Sequence, residues 1–236
     1  MTILCIETST SVCSAAICRD GAVLRQYIRR EGSNHAQLLP RFIEQLLSEA
    51  REQHWTIEAV ALSEGPGSYT GLRIGTATAK GLCYGLNVPL IPVPTLEVLC
   101  EAARENTDAK WAIQNTDLLC PMIDARRMEV YTLAADGKAR AVVVENEQSL
   151  FSNSPKGDLT SNNEVFYFGD GAAKCQQVLA APNWHFIPDI VPEAQFMGRL
   201  AETGYGLRVT DERIAYYEPY YLKEFIAAPS HVKGLQ

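Results

Sequence analysis

The chain has 236 residues, 47% of them hydrophobic, and a formal net charge of −7 from 21 Lys and Arg against 28 Asp and Glu. That is apolar enough for packed cores in one large or two modest domains, and it excludes an intrinsically disordered chain. The acidic balance, with no basic cluster beyond pairs such as Arg29–Arg30 and Arg126–Arg127, argues against nucleic-acid binding by the chain alone.

No run of apolar residues reads as a transmembrane helix. The opening MTILCIETST lacks the basic n-region and cleavage site of a secretory signal. The seven cysteines are an odd count, form no C-x-x-C and in several cases sit in apolar runs. They read as reduced core thiols of a cytoplasmic protein.

Thr2 to Thr8 predicts an apolar strand, followed by the hydroxyl-rich turn Thr8-Ser9-Thr10-Ser11. Val12 to Cys18 returns as a strand, Asp20-Gly21 marks a hairpin turn, and Val23 to Ile28 is a third strand, giving an antiparallel meander. Asn34 with Gln37 resembles a capping box, and Leu38, Leu39, Phe42, Ile43, Leu46 and Leu47 follow a helical period. Pro40 interrupts it, so either the regular helix starts near Leu39 or its first turns are kinked. Ile57 to Ser63 is a fourth strand.

The stretch Ala59–Gly85 then reads as strand, glycine loop and helix. Glu64 to Gly71 holds three glycines and one proline in eight residues, and Leu72 to Leu86 holds no proline. Such a loop can point backbone N–H groups and a helix N-terminus at an anion. Ser68, Tyr69 and Thr70 add hydroxyls, and Arg73 lies in the first turn. It is not a P-loop: Gly65 and Gly71 enclose five residues, and no Lys-Ser/Thr follows. The alternative is a tight connection whose glycines serve only backbone geometry.

In that helix Gly71, Gly75 and Ala79 form one small-residue stripe and Ala77, Gly81 and Gly85 another, about 120° apart. Interior Gly costs about 1 kcal/mol relative to Ala, so close approach is expected on two sides. One side is the helix's own sheet. The other is a second helix of this chain or a partner. The stripe Gly71–Gly75–Ala79 is expected to face outward, because it starts beside the exposed loop.

Val88 to Val93 is a fifth strand, and Thr95 caps a helix carrying Leu96, Val98, Leu99 and Ala102. The order β-β-β-α-β-α-β-α matches a ribonuclease H-like half, a mixed sheet flanked by helices. The polar stretch from Glu105 to Asp117 marks a boundary. Beyond it, strands are expected over Leu118–Ile123, Arg127–Ala135 and Ala139–Val144, with Asp124 at the first turn and a helix or loop over Glu145–Ser154. A surface loop is expected over Ser152–Asn163, a strand over Val165–Phe168 ending in Gly169-Asp170-Gly171, a short helix over Ala172–Leu179 and a strand over Trp184–Ile187. A helix is expected over Pro192–Leu207, and a mobile tail after PYYLKEF. The second half thus reads as a degenerate repeat of the first.

Glu7 at a strand end, beside Thr8, Ser9 and Thr10, could hold a metal-bound water near a phosphate; an ordinary turn is the alternative. With Asp124 and the Gly169–Gly171 turn it forms two matching half-sites, which suits a nucleotide between two lobes. The four histidines, His35, His54, His185 and His231, form no metal-binding pair, and G-x-S-x-G is absent.

The segments LCIETST, NHAQLLP, SEGPGSYTGLRIG, IDARRMEVY and PYYL occur in this order. With them the chain resembles the TsaB (YeaZ) family over nearly its whole length. The resemblance implies an α/β fold of two ribonuclease H-like lobes, of the actin, sugar-kinase and Hsp70 type, over residues 1–106 and 107–236, with the helix near 193–207 packing back on the first. It implies a cytoplasmic, non-catalytic dimerisation subunit of a TsaD-like enzyme that forms N6-threonylcarbamoyladenosine next to the tRNA anticodon. A TsaE-like ATPase would bind that pair, tRNA would be met only through the complex, and the chain alone would form a homodimer. No cofactor or metal would be required, and ATP or ADP would bind weakly at a partner interface.

The catalytic relative, once called a glycoprotease, carries a histidine pair where this chain has His35 alone. An ATP-using phosphotransferase or a peptidase-like enzyme of the same fold is the rival reading. The nucleotide or phosphate-loop candidates are Glu7, Thr8, Ser9, Thr10, Gly65, Gly67, Ser68, Thr70, Gly71, Asp124, Gly169 and Gly171. The interface candidates are His35, Leu38, Leu39, Phe42, Arg73, Gly75 and Ala79. Glu7 stands where many relatives have Asp, and Lys223 where Arg is common.

Overall fold

The computed structural model describes residues 1–32, 34–105, 113–134, 137–151, 163–204, 208–210 and 212–223. The expected surface loop up to residue 162, most of the boundary stretch and the tail beyond residue 223 lie outside the described residues.

The first sheet has the order β3-β2-β1-β4-β5. Its strands are β1 (Thr2–Glu7), β2 (Cys13–Arg19), β3 (Ala22–Arg29), β4 (Ala59–Gly65) and β5 (Leu90–Pro94). β1 runs antiparallel to β2, and β2 to β3, whereas β1, β4 and β5 run parallel. The Asp20-Gly21 hairpin is present, with φ of 50° and 75°, the left-handed pair that a two-residue turn between twisted strands needs.

β1 is buried on both faces, and its alternate side chains enter two cores. Leu4 and Ile6 join Leu39, Ile43, Leu46, Val60, Leu62, Ala79 and Cys83 beneath α1 (His35–Glu52) and α2 (Tyr69–Leu86). Ile3 and Cys5 join Ala16, Ile91, Val93, Val98, Ala194, Met197 and Ala201 on the other face. The second core is therefore completed by a late segment: a 3₁₀ turn at Ala194–Met197 and the helix α5 (Gly198–Thr203). Among the described residues of the helix expected over Pro192–Leu207, these two pieces stand in place of one continuous helix.

α1 runs on from His35 through Pro40, so the later start near Leu39 is not adopted. Pro40 lies in the exposed early part of the helix, where the carbonyl of Ala36 can turn to water in place of the missing N–H. The expected capping box is not formed. Asn34 makes no side-chain bond to the helix backbone; its Nδ2 donates to Gln37 Oε1 at 2.6 Å instead. α2 begins at Tyr69, three residues before the expected Leu72, because the Ser68 side chain accepts from the Gly71 amide at 3.3 Å and caps it there. Asn87 closes it in the left-handed region, with φ 55°.

The second half repeats the first. β6 (Leu118–Pro121) and β7 (Ile123–Asp124) are one path interrupted at Met122. β6 pairs parallel with β10 (Val165–Phe168), which pairs parallel with β11 (Trp184–Ile187). β7 pairs antiparallel with β8 (Glu129–Leu133), and β8 with β9 (Ala139–Val143). Read through Met122, the order β9-β8-β7/β6-β10-β11 has the strand directions of the first sheet. The helices are reduced: α4 covers Glu147–Phe151, and the helix expected over Ala172–Leu179 is a single 3₁₀ turn, Ala173–Cys175.

α3 (Thr95–Arg104) sits between the halves. Val98 packs on the first sheet, while Leu96, Leu99 and Cys100 meet Ile123, Phe166, Phe168 and Ile187 of the second. The chain then crosses back, where Leu90 and Val209 exchange backbone hydrogen bonds of 3.0 and 2.7 Å. It continues into α6 (Glu212–Tyr216) and the PYYL segment.

All seven cysteines are buried free thiols. Titration of denatured, non-reduced protein should count seven thiols, and titration of the folded protein should report almost none. A reproducible shortfall of two in the denatured sample would mean a disulfide that this arrangement does not contain.

Candidate functional site

The end of β1 and the start of α2 are packed into each other. Thr8 Oγ1 donates to the Gly71 carbonyl at 2.9 Å, and the Ser68 amide donates to the Ser9 carbonyl at 2.6 Å. A β-carbon at Gly71 would lie 2.0 Å from the Thr8 carbonyl oxygen, at Gly67 2.3 Å from that of Ser9, and at Gly75 2.4 Å from Thr8 Oγ1. The glycines of this loop therefore admit a turn of the chain's own backbone. Thr8 and Ser9 are buried, and Thr10 nearly so, whereas Ser68 and Thr70 are exposed.

The turn is held from its other side by His35. That ring is buried, and its Nε2 lies 2.9 Å from the Thr10 carbonyl and 3.1 Å from that of Val12. Both partners are acceptors, so Nε2 carries the proton. His35 thus ties α1 to the loop after β1.

Glu7 is fully buried at the foot of this turn. Its Oε1 accepts from the Ser9 amide at 2.5 Å and from Ser9 Oγ at 2.6 Å. Its Oε2 is buried with no hydrogen-bond partner among the described residues. Burial raises the Glu7 pKa; the nearby Ser63 hydroxyl and the hydrogen bonds from Ser9 oppose the shift, and the charge of Asp170 adds to it.

Asp170 belongs to the matching turn of the second half. Its Oδ1 accepts from the Asp124 amide at 2.9 Å, and Asp124 is paired with Lys174. Desolvation raises the Asp170 pKa, with the Asp124 charge adding and Lys174 opposing. Gly169 and Gly171 repeat the packing of the first turn: β-carbons there would lie 2.2 Å from the Met122 carbonyl oxygen and 2.8 Å from the Ile123 carbonyl carbon. The structure thus brings Glu7, Thr8, Ser9, Gly67 and Gly71 together, and Asp124, Gly169 and Gly171 together. Ser63, Asp170 and Lys174 were not singled out from sequence. For Asp170 a signal existed, its place between two glycines.

The C-terminal PYYL segment closes over the junction of β4 and α2. The Tyr220 amide donates to the Glu64 carbonyl at 2.7 Å, and Gly65, at φ +115°, leaves room for the Tyr220 carbonyl, which a β-carbon would meet at 2.6 Å. The Tyr221 ring packs 5.0 Å from that of Tyr69, and Lys223 reaches Glu129 in the second half.

The two stripes of α2 lie the other way round from expectation. Gly71, Gly75 and Ala79 are buried against β1 and β4, because Thr8 and Leu62 occupy that side. Ala77, Gly81 and Gly85 are exposed, with open space where β-carbons at Gly81 and Gly85 would stand. Beside them Tyr84 is 91% exposed and Leu86 38%. Of the expected interface residues, His35, Leu39, Gly75 and Ala79 are therefore covered by the chain's own fold. Leu38 and Phe42 are half-buried, and Arg73 is exposed.

Among the described residues no group of three or more His, Cys, Asp or Glu is placed to hold a metal. None of the described helices is long and apolar enough to cross a membrane.

Comparisons with known proteins agree with this architecture. The family model for TsaD, tRNA N6-adenosine threonylcarbamoyltransferase, matches residues 28–182. The tRNA threonylcarbamoyladenosine biosynthesis protein TsaB of Haemophilus influenzae is 29% identical over 231 residues, 94% of each chain. Its namesake from Bacillus subtilis is 34% identical over 132 residues, 56% of this chain and 54% of that protein, so the match spans about half that relative's length. A solved structure, YeaZ from Pseudomonas aeruginosa, superposes with a TM-score of 0.70 at 27% identity, over 94% of this chain and 99% of that one.

The chain belongs to this family, on its TsaB (YeaZ) branch. The five segments that carried the resemblance are spread through both halves of this TsaB-type fold. Three of them, LCIETST, SEGPGSYTGLRIG and PYYL, converge on the junction of β1, β4 and α2.

The Glu7 carboxyl gives this junction a pH signature. A carboxyl whose folded pKa is raised contributes stability that is present below the ordinary carboxylate range and lost as pH rises through the raised value. Glu7→Gln cannot ionise. Its thermal midpoint should exceed that of the wild type at pH 8, and the gap should close as pH falls towards about 4. A gap that widens on acidification would refute the assignment.

Proposed function

We propose that this chain is a non-catalytic subunit that binds and supports a TsaD-type enzyme in forming N6-threonylcarbamoyladenosine beside the tRNA anticodon. The observation that carries the reading is the outer face of α2. Ala77, Gly81 and Gly85 leave a shallow furrow open to solvent, with Tyr84 standing beside it. A helix that gives up helix propensity at two exposed positions gains from it only when another backbone comes close. The chain's own sheet already occupies the opposite stripe.

A second support is the junction itself. The Ser68 amide, which a phosphate would seek, is spent on Ser9. Nucleotide binding by the isolated chain is correspondingly weak in this reading, and no cofactor is required. The partner on α2 is the TsaD-type subunit in the cytoplasm and a second copy of this chain when pure. A TsaE-type ATPase joins the pair, and tRNA is met through the complex.

Reconstitution tests this. A TsaD-type subunit and a TsaE-type ATPase, supplied with a threonylcarbamoyl donor, should modify tRNA when this chain is added, and at least about ten-fold less without it. Undiminished modification without the chain would overturn the proposal. So would peptidase or ATP turnover by the chain alone at an ordinary enzyme rate of about 1 per second or more; that result would favour an enzyme of the same fold.

A further inference from the structure

A second site lies on α2, between the inner and outer stripes, and the family reading does not absorb it. A cavity of about 630 Å³ opens between α2 and the returning C-terminal segment. Its volume falls in the range of small-molecule sites. Arg73, Thr76, Ala77 and Lys80 form one wall, at helical spacings that place them on a single face, and Tyr69, Tyr217, Glu218 and Tyr221 supply the rest with Pro219.

Thr76 is 6% exposed, and its hydroxyl has no hydrogen-bond partner among the described residues. That oxygen has almost no accessible surface, so it does not front the cavity, and the donors that can reach a ligand there are those of Arg73 and Lys80. Arg73 Nη1 donates to Tyr69 Oη at 3.1 Å, with its guanidinium 5.4 Å from that ring's centre. Lys80 Nζ donates to the Ala215 carbonyl at 2.8 Å. A guanidinium has five N–H donors and an ammonium three, so these bonds leave donors on both groups. The two cations and the single carboxylate of Glu218 leave the cavity with a net charge of about +1, on a chain whose net charge is −7.

We propose that this cavity binds a small aromatic monocarboxylate, its carboxylate held by Arg73 and Lys80 and its ring among Tyr69, Tyr217 and Tyr221. The charge balance selects the head group: a monoanion matches it, whereas a phosphate dianion sets its second charge against Glu218. The tyrosines select a flat body, which stacks on or meets the edges of their rings. The site shares Ala77 with the furrow described above, but its lining comes from one copy of the chain, so its test on the isolated chain does not depend on the subunit role.

Benzoate is the probe. Titrated into the isotope-labelled chain, it should give saturable NMR shifts at the Ala77 and Lys80 amides, with a Kd on the order of 1 mM as expected for so small a ligand. Arg73→Gln and Lys80→Gln should each weaken binding by about five-fold or more, with melting profiles close to wild type. Phenyl phosphate should bind less tightly than benzoate, and Glu218→Gln should narrow that difference. Absence of saturable shifts at tens of millimolar benzoate, shifts that survive both charge-removing substitutions, or tighter binding of phenyl phosphate would each overturn the proposal.

Discussion

Gly71→Ala should be among the most damaging small substitutions in the protein. The added methyl would stand 2.0 Å from the Thr8 carbonyl oxygen, and neither side can give way easily. Thr8 directly follows β1 and is held by its own hydrogen bond to the Gly71 carbonyl. Relief requires prising the helix start from the sheet, an overpacking cost of about 3 kcal/mol. In a protein of this size that lowers the melting midpoint by roughly 6–12 °C. The same change ten residues on should do the opposite. Gly81→Ala meets nothing within 4 Å and gains up to about 1 kcal/mol of helix propensity. Thermal melts of the two variants, run under monomeric conditions, decide the matter. Equal effects, or a harmless Gly71→Ala, would mean that the junction is not packed as described.

Gly81→Leu should separate association from folding. In the monomer the side chain projects into open space, so the midpoint should hold or rise. In a complex that brings another helix onto the furrow it would force the two apart, at about 1–3 kcal/mol, which weakens association by roughly ten- to hundred-fold. Ala79→Leu should behave in reverse, lowering the monomer midpoint, because Ala79 is fully buried against the sheet. Sedimentation equilibrium and binding to the TsaD-type subunit give the association constants. If Gly81→Leu leaves both untouched, the interface lies elsewhere, and the exposed stripe needs another explanation.

Much of the fold was legible in the sequence because local patterns and tertiary structure agree. The meander of β1 to β3 follows from its apolar strands and from Asp20-Gly21, whose backbone needs match the turn. The strands β10 and β11 fall where Val165–Phe168 and Trp184–Ile187 predict them. The repeat shows in the order of elements, because each half lays down its strands in the same order and directions, as one five-stranded sheet in the first half and as two three-stranded sheets on either side of Met122 in the second.

The sequence by itself also determined that α2 carries two stripes of small residues, about 120° apart at helical pitch. Only the tertiary structure decided which stripe is which. Spacing is the same for both; what breaks the tie is the carbonyl of Thr8, sixty-three residues earlier in the chain, which claims the Gly71 side. The same holds for His35, whose place at a helix start suggests a surface role, but whose ring is drawn inward by two carbonyls of the β1–β2 turn. The Glu7 and Asp170 electrostatics likewise needed two halves folded against each other. A hydrogen bond or a close contact between distant segments leaves no periodic trace in either of them, so no pattern along the chain could have shown it.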